Sequence, residues 1–485
     1  MSGATVSMPR GFAPPLSPRL QWIWGLGLAV FVVASIIVTG TVLAPFVLVG
    51  IAICSYAVLR PVAALMSFIL VNVLTTLTAL GSGAEHQVSA VGYALGFILL
   101  TLIIYWTLKL RVFEWDRLVR SRVMAMLLVF VVWALVATVI GLANGNDPST
   151  ALRDILSFSP LVFTPLMYER FVRIDSQAER RMFWMAVGIA FVTLLYNISR
   201  VRSTAINAAG VTNVARGNSD ETLSCLVMLV SASFLCSARS VRTAIVSGLF
   251  FILGVVGLMV TFRRTLYLAV IISLLLIFFL VGRAERRRGV GRLLLVGVTM
   301  LSVLGWVVSH NRVIKMLLVN YGLRFTSSSH FRNDISLLDR VAEWRDAVQT
   351  SLRSPVFGHG FGAQFRHFVL ELGYDRQQGF THNSYLYYVL KTGFLGAILF
   401  YSVFFLFIYK GFQLARRTDL SLYQKIIVRA GLAYLVLLAL GAYTDTYLEH
   451  RPALVWTGLI WGYFLALEAA RIPGAKPAEQ LTSAG

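Results

Sequence analysis

Apolar runs long enough to cross a lipid bilayer recur along this chain from about residue 20 to residue 470. A helix needs roughly 20 such residues to span the hydrocarbon core. Inside lipid each backbone N–H and C=O has to be satisfied within its own segment, so runs of this length fold as helices. The pattern predicts fourteen spans, at 20–40, 42–59, 61–80, 90–108, 123–143, 155–170, 182–199, 220–237, 243–261, 265–282, 292–309, 384–409, 427–446 and 452–470. The sixth is short and holds Pro160 and Pro165. Composition agrees, with 57% hydrophobic and 13% charged residues, against about 25% charged in a soluble domain. The fold class expected is an all-α polytopic membrane protein with about 12–14 transmembrane helices.

The net charge of +21 would point to nucleic acid in a soluble protein. Here the basic residues collect in loops beside spans, where they set orientation, so no nucleic-acid partner is expected. With the N-terminus in the cytoplasm, the inside segments hold 26 Lys and Arg and the short outside loops hold 7. Both termini are then inside. The expected organisation is a cytoplasmic tail 1–19, a helix bundle 20–309, a large outside loop 310–383, C-terminal spans 384–470 and a cytoplasmic tail 471–485. The first span reads as uncleaved, since no small-residue cleavage site follows it.

The outside loop carries four of the seven histidines, His330, His359, His367 and His382. Residues 335–354 have the period of an amphipathic helix, with Leu337, Val341, Trp344, Val348 and Leu352 at three- and four-residue steps. Asp339, Arg340, Glu343 and Asp346 lie elsewhere around it, and Pro355 ends it. Phe357-Gly358-His359-Gly360-Phe361-Gly362 is a tight turn. Residues 366–372 read as a short helical piece and 373–380 as polar loop. Thr381-His382-Asn383-Ser384 opens the next span.

Arg263 and Arg264 sit between two apolar spans at the start of a helix, whose free N–H groups favour an anion. Arginine's planar fork suits phosphate oxygens. The alternative is that both snorkel and anchor the helix end. Arg216 occupies another short outside loop. His382 is either part of a helix cap or a general base at the membrane surface. His359 reads as a second candidate base or a side chain on a glycine turn. There is no His-Glu-x-x-His, no Walker or Rossmann glycine pattern and no Gly-x-Ser-x-Gly. Cys54, Cys225 and Cys236 lack metal-ligand spacing. A transporter is the competing class, and Lys391, Asp445 and Glu449 are the ionisable groups that would serve it.

Three motifs resemble the O-antigen ligase and Wzy-type polysaccharide polymerase superfamily. His382-Asn383, nine residues, then Gly393-Phe394-Leu395-Gly396 matches that family's histidine pattern. Arg340-x-x-x-Trp344 followed by Ser354-Pro355-Val356-Phe357-Gly358-His359-Gly360-Phe361-Gly362 is similar to its Arg/Trp and glycine block. Thr261-Phe262-Arg263-Arg264-Thr265 is similar to its arginine segment, with Arg263 in place of the usual serine. The loop of Arg216 resembles a further family arginine more weakly, because Ser219-Asp220 replaces the usual pair after it. The resemblance covers about residues 210–400. It implies a GT-C-like, metal-independent, inverting glycosyltransferase of the bacterial inner membrane, working without a cofactor at the periplasmic face. The donor implied is a glycan on undecaprenyl diphosphate, and the acceptor a glycan or lipid. His382 would be the catalytic residue. Arg264, Arg263 and Arg216 would bind diphosphate. Arg340, His359, Asn383 and Tyr385 would contact glycan or support the site. The family includes polymerases and ligases, sometimes beside a chain-length regulator. Polymerase is the reading preferred here, because the superfamily serves many capsule and exopolysaccharide systems.

Overall fold

The computed structural model describes residues 122–158, 221–260, 263–310, 335–370, 373–449 and 451–469, with a few isolated positions between them. The expected spans at 20–40, 42–59, 61–80 and 90–108 lie outside the described residues, as does nearly all of 182–199.

The remaining pattern is helical as expected. The helices are α1 (Arg122–Ala143), α2 (Pro148–Ser157), α3 (Glu221–Ser237), α4 (Val241–Val260), α5 (Arg264–Leu280), α6 (Arg283–His310), α7 (Ile335–Ser351), α8 (Ser384–Ala415), α9 (Leu422–Gly441) and α10 (Arg451–Ala469). Five of them are long and apolar enough to cross a membrane: α1, α4, α6, α8 and α9. Shorter apolar helices lie at 221–237, 265–280 and 453–469. The protein is an all-α polytopic membrane protein in its spanning part. Its lipid-facing character is plain on α6, where Leu294, Leu295, Val298 and Leu301 are all exposed.

α3 is the centre of the bundle, packed by α4, α5, α6 and α9. Small residues allow this. A Cβ on Gly254 or Gly257 of α4 would meet Met228 or Ser224 at 2.5–2.6 Å, and one on Gly289 of α6 would meet Cys236 at 2.4 Å. Arg292 closes the C-terminal end of α3, donating to the carbonyls of Leu235 (2.8 Å) and Ala238 (2.7 Å), which the helix leaves unpaired. On the other side, α8 packs against α1, α9 and α10. Aromatic rings fill the seams: Tyr388 stacks on Phe400 at 4.1 Å and Phe407 on Trp461 at 4.3 Å.

Three local expectations are corrected. Residues 366–372 are not helical. Phe365–Val369 is strand β1, paired antiparallel with β2 (Tyr374–Gln378), which occupies the expected polar loop. Phe365 and His367 are buried and Arg366 and Phe368 exposed, a period of two that favours a strand. Gly373, at φ 71°, makes the turn. Next, α2 starts ahead of the expected span 155–170, in a stretch expected to be loop, and runs into its first turn; most of the rest of that span lies outside the described residues. Asp147 caps it, accepting from Thr150 N at 2.9 Å, and Pro148 takes the first helical position. Last, the span 384–409 is longer than expected and is broken: Gly393 has φ 68° and ψ 179° inside α8.

That break locks the segment between α7 and β1 to the bundle. Phe394 N donates to Pro355 O (2.8 Å), His359 N to Leu390 O (2.9 Å) and Gly360 N to Lys391 O (2.9 Å). A Cβ on Gly393 would lie 2.1 Å from Val356 O, and one on Gly360 would lie 2.1 Å from Gly141 N. The glycine block and the glycine of the histidine motif are therefore one main-chain contact. α1 completes it through Phe361 N to Ala137 O at 3.2 Å.

Candidate active site

His382 precedes α8, and the cap predicted beside it is present. Asn383 Oδ1 accepts from Tyr385 N (2.9 Å) and Leu386 N (3.2 Å). The cap does not use His382. Its ring is held instead by α7, which packs on α8 and β1. Glu343, 2% exposed, accepts with both oxygens: Oε1 from the His382 backbone N–H, and Oε2 facing His382 Nδ1 at 2.7 Å. The Phe380 ring stands edge-on to the imidazole at 5.5 Å. A carboxylate on Nδ1 places the proton there and leaves the Nε2 lone pair free. The His382 side chain is 34% exposed, and among the described residues Nε2 has no hydrogen-bond partner.

A second carboxylate stands behind this pair. Asp445 lies in the turn between α9 and α10 and is buried. Arg263 Nη1 donates to Asp445 Oδ2, and Arg263 Nε lies 3.0 Å from Glu221 Oε1 on the first turn of α3. Its guanidinium also sits over the Tyr447 ring at 5.8 Å. Burial works to raise the Asp445 carboxyl, but Arg263, Arg340 and His382 outweigh it and hold it below the ordinary carboxylate range. Arg340 donates to Thr444 O at 3.1 Å, one residue away. Ser384 Oγ donates to Asp445 O at 3.0 Å and accepts from Leu448 N at 3.2 Å, fixing the turn from the side of α8.

Of the residues expected at the site, Arg263 pairs with Asp445, Arg340 reaches the carbonyl of the neighbouring Thr444, and His382 adds to the positive charge that holds Asp445 ionised. Arg263 is engaged by two carboxylates. Arg264 is the first residue of α5, whose N-terminus has no side-chain cap; its side chain lies outside what is described. Arg216 lies outside the described residues. The other described residues expected at the site make hydrogen bonds within the fold. Tyr385 Oη donates to Ala439 O (2.8 Å). His359 Nε2 lies 2.8 Å from Thr350 O, and its carbonyl accepts from Asn146 Nδ2 (3.0 Å).

The ionisable groups that favoured a transporter are also placed. Lys391 is fully buried, donating to Asp154 Oδ2 (2.8 Å) and Ala363 O (2.6 Å), while Gly362 N donates to the same Asp154 oxygen (2.9 Å). Asp445 is paired as above. The Glu449 carboxylate oxygens are buried with no hydrogen-bond partner among the described residues. Burial pushes this carboxyl well above its ordinary range.

Sequence reasoning did not single out Glu343, Glu221 or Asp154. For Glu343 a signal existed: it lies three residues after Arg340, on the same face of α7. Among the described residues no group of three or more His, Cys, Asp or Glu side chains is placed to hold a metal ion.

The residues that hold His382 fall in one stretch with the glycine lock and the paired arginines, whereas Glu221 and Asp445 come from further out. No curated protein matches the chain. Residues 249–401, which contain Arg263, Arg264, Arg340, Glu343, His382 and Gly393, match the family model Wzy_C, O-antigen ligase, a domain match that supports the O-antigen ligase and Wzy superfamily.

Proposed function

We propose that the protein is a membrane glycosyltransferase that moves a glycan from undecaprenyl diphosphate to a sugar hydroxyl at the periplasmic face of the bacterial inner membrane, as a polysaccharide polymerase. The observation that carries this reading is the imidazole held by a buried carboxylate with Nε2 free. His382 Nε2 takes the proton of the acceptor hydroxyl as its oxygen bonds to the anomeric carbon from the side opposite the diphosphate. The anomeric C–O bond to phosphate breaks, its electron pair leaves with the diphosphate, and the configuration inverts. Glu343 holds the ring and balances the imidazolium that forms. Arg264 at the open N-terminus of α5, with Arg216, offsets the charge on the departing diphosphate. Arg263 is neutralised by Glu221 and Asp445 and braces this end of α5. The scheme needs no metal ion.

The description of the matched family favours a second reading, a ligase that passes the glycan to lipid A-core or another acceptor. Purified protein in nanodiscs given only lipid-linked repeat units separates them. A ladder of chain lengths supports polymerase, and product only after an added acceptor supports ligase. His382→Ala and Arg264→Ala abolish transfer while the protein still accumulates in the membrane. Full activity in both variants, or a strict requirement for Mg²⁺ or Mn²⁺, overturns the mechanism.

A further inference from the structure

α7 is inside out compared with an amphipathic helix on a water-soluble fold, which buries its apolar stripe. Its polar side turns into the protein. Glu343 and Ser351 are buried, Arg340 reaches Thr444, and Asp346 lies 2.9 Å from the buried His367. Its apolar side turns out. Leu338, Val341, Val348 and, just past the helix end, Leu352 are exposed, Leu352 by 62%. With Arg345 these positions fall within about a quarter of the helix circumference at 3.6 residues per turn. The row continues into the exposed Val356 and Phe357.

Two features identify what covers this row. The first is continuity with the lipid-facing surface of the spans. Phe357 stacks on Trp133 of α1 at 5.8 Å, and Pro355 O accepts from Phe394 N of α8. Around these contacts Val132 and Val136 of α1 and Phe394, Leu395 and Ile398 of α8 are exposed apolar side chains on two helices of spanning length. The second is charge. Among the described residues from 335 to 357, the exposed charged side chains are Arg345 and Arg353. Asp339 is partnered by Leu370 N, and Glu343 and Asp346 by histidines. An apolar row flanked only by cations fits an anionic lipid surface.

We propose that α7 is an interfacial helix. Its Leu338, Val341, Val348 and Leu352 side sits in the boundary between headgroups and acyl chains of an anionic bilayer, with Arg345 and Arg353 on lipid phosphates. The seating holds whatever reaction the site performs. Glu343 is on the opposite side of the same helix, so the depth of α7 also sets the depth of His382.

The test uses the full chain in nanodiscs, with Cys54, Cys225 and Cys236 replaced by alanine. A single cysteine at Val341, Val348, Leu352 or Gln377 carries a bimane fluorophore, and the lipids are brominated on the acyl chains. Gln377 is exposed on the hairpin and serves as the reference. The expected result is loss of fluorescence at 341, 348 and 352 but not at 377, deepening as the anionic lipid fraction rises. Equal fluorescence at all four positions overturns the proposal. An apolar emission shift without bromine quenching overturns it too, since protein would then cover the face. The native sequence allows a second test without substitution. A diazirine-bearing phospholipid should label the peptide 335–357, and labelling confined to the spans refutes the seating.

Discussion

Replacing Glu343 by glutamine keeps the shape of the side chain and removes its charge, which tests the central pair directly. The carboxylate accepts from two donors, the His382 backbone N–H and Nδ1–H. A glutamine has one acceptor oxygen, so it can satisfy only one of them. If the oxygen stays on the backbone, the amide NH₂ faces Nδ1, the ring takes the opposite tautomer, and Nε2 carries the proton. If the oxygen faces Nδ1, the backbone N–H meets a donor. Either way a charge-assisted bond worth about 1.5–3 kcal/mol is lost. At 1.36 kcal/mol per tenfold in rate, this is a roughly ten- to hundred-fold fall in turnover. The assay is single-turnover transfer from a fluorescent lipid-linked glycan in nanodiscs, with KM for donor measured alongside. The fall should be in kcat, because Glu343 touches His382 and not the arginines proposed to bind diphosphate. His382→Ala should cost more, about 10²–10⁴-fold, and the double variant no more than His382→Ala alone. Additive losses, or a Glu343→Gln effect confined to KM, would falsify the claim that Glu343 acts through His382.

Three further outcomes are expected. Arg263→Ala removes a paired cation from the buried Glu221 and Asp445, so it should lower stability by about 3–5 kcal/mol, read as a lower melting temperature in detergent; an unchanged melt would refute the bracing role. Gly393→Ala forces a side chain into a positive-φ, extended-ψ backbone that is nearly confined to glycine, worth about 1–3 kcal/mol, and drives its Cβ against Val356 O. It should reduce the yield of monodisperse protein, and a native-like yield would show that the lock yields easily. Glu449 has a raised pKa in the fold, so its contribution to stability is full below the unfolded value and is lost as pH rises through the folded value. Melting temperature should therefore fall more steeply with rising pH in the wild type than in Glu449→Gln, and equal slopes would refute this.

The spans were legible because lipid leaves the backbone few options, so hydrophobic length alone carries the assignment. The eight expected spans that fall on described helices place α1, α3, α4, α5, α6, α8, α9 and α10. The hairpin was not legible: ten strand residues broken by Gly373 give a short alternation that a helical reading of 366–372 also tolerates. At the site, His382 stood out by its motif and Arg263 by its cost at a membrane junction. Their partners did not. Glu343 is one of several charged residues on α7, and it is distinguished only by facing inward onto a residue 39 positions later. Asp445 lies 182 positions from Arg263, so its charge looked unpaired in the sequence. Charge pairs assembled across a bundle leave no local pattern to read.

The glycine lock between Pro355–Gly362 and the break in α8 has a consequence for how this part of the chain tolerates change. Its bonds run from Phe394 to Pro355 and from His359 and Gly360 to the carbonyls of Leu390 and Lys391, all of them main chain to main chain. Such bonds do not depend on which side chain stands at Val356, Phe357 or His359. They do depend on counting. One residue inserted or deleted between Pro355 and Gly362 would move every later donor off its acceptor and carry Gly360 away from Gly141. Away from its glycines, the segment should therefore accept substitution far better than any change in length.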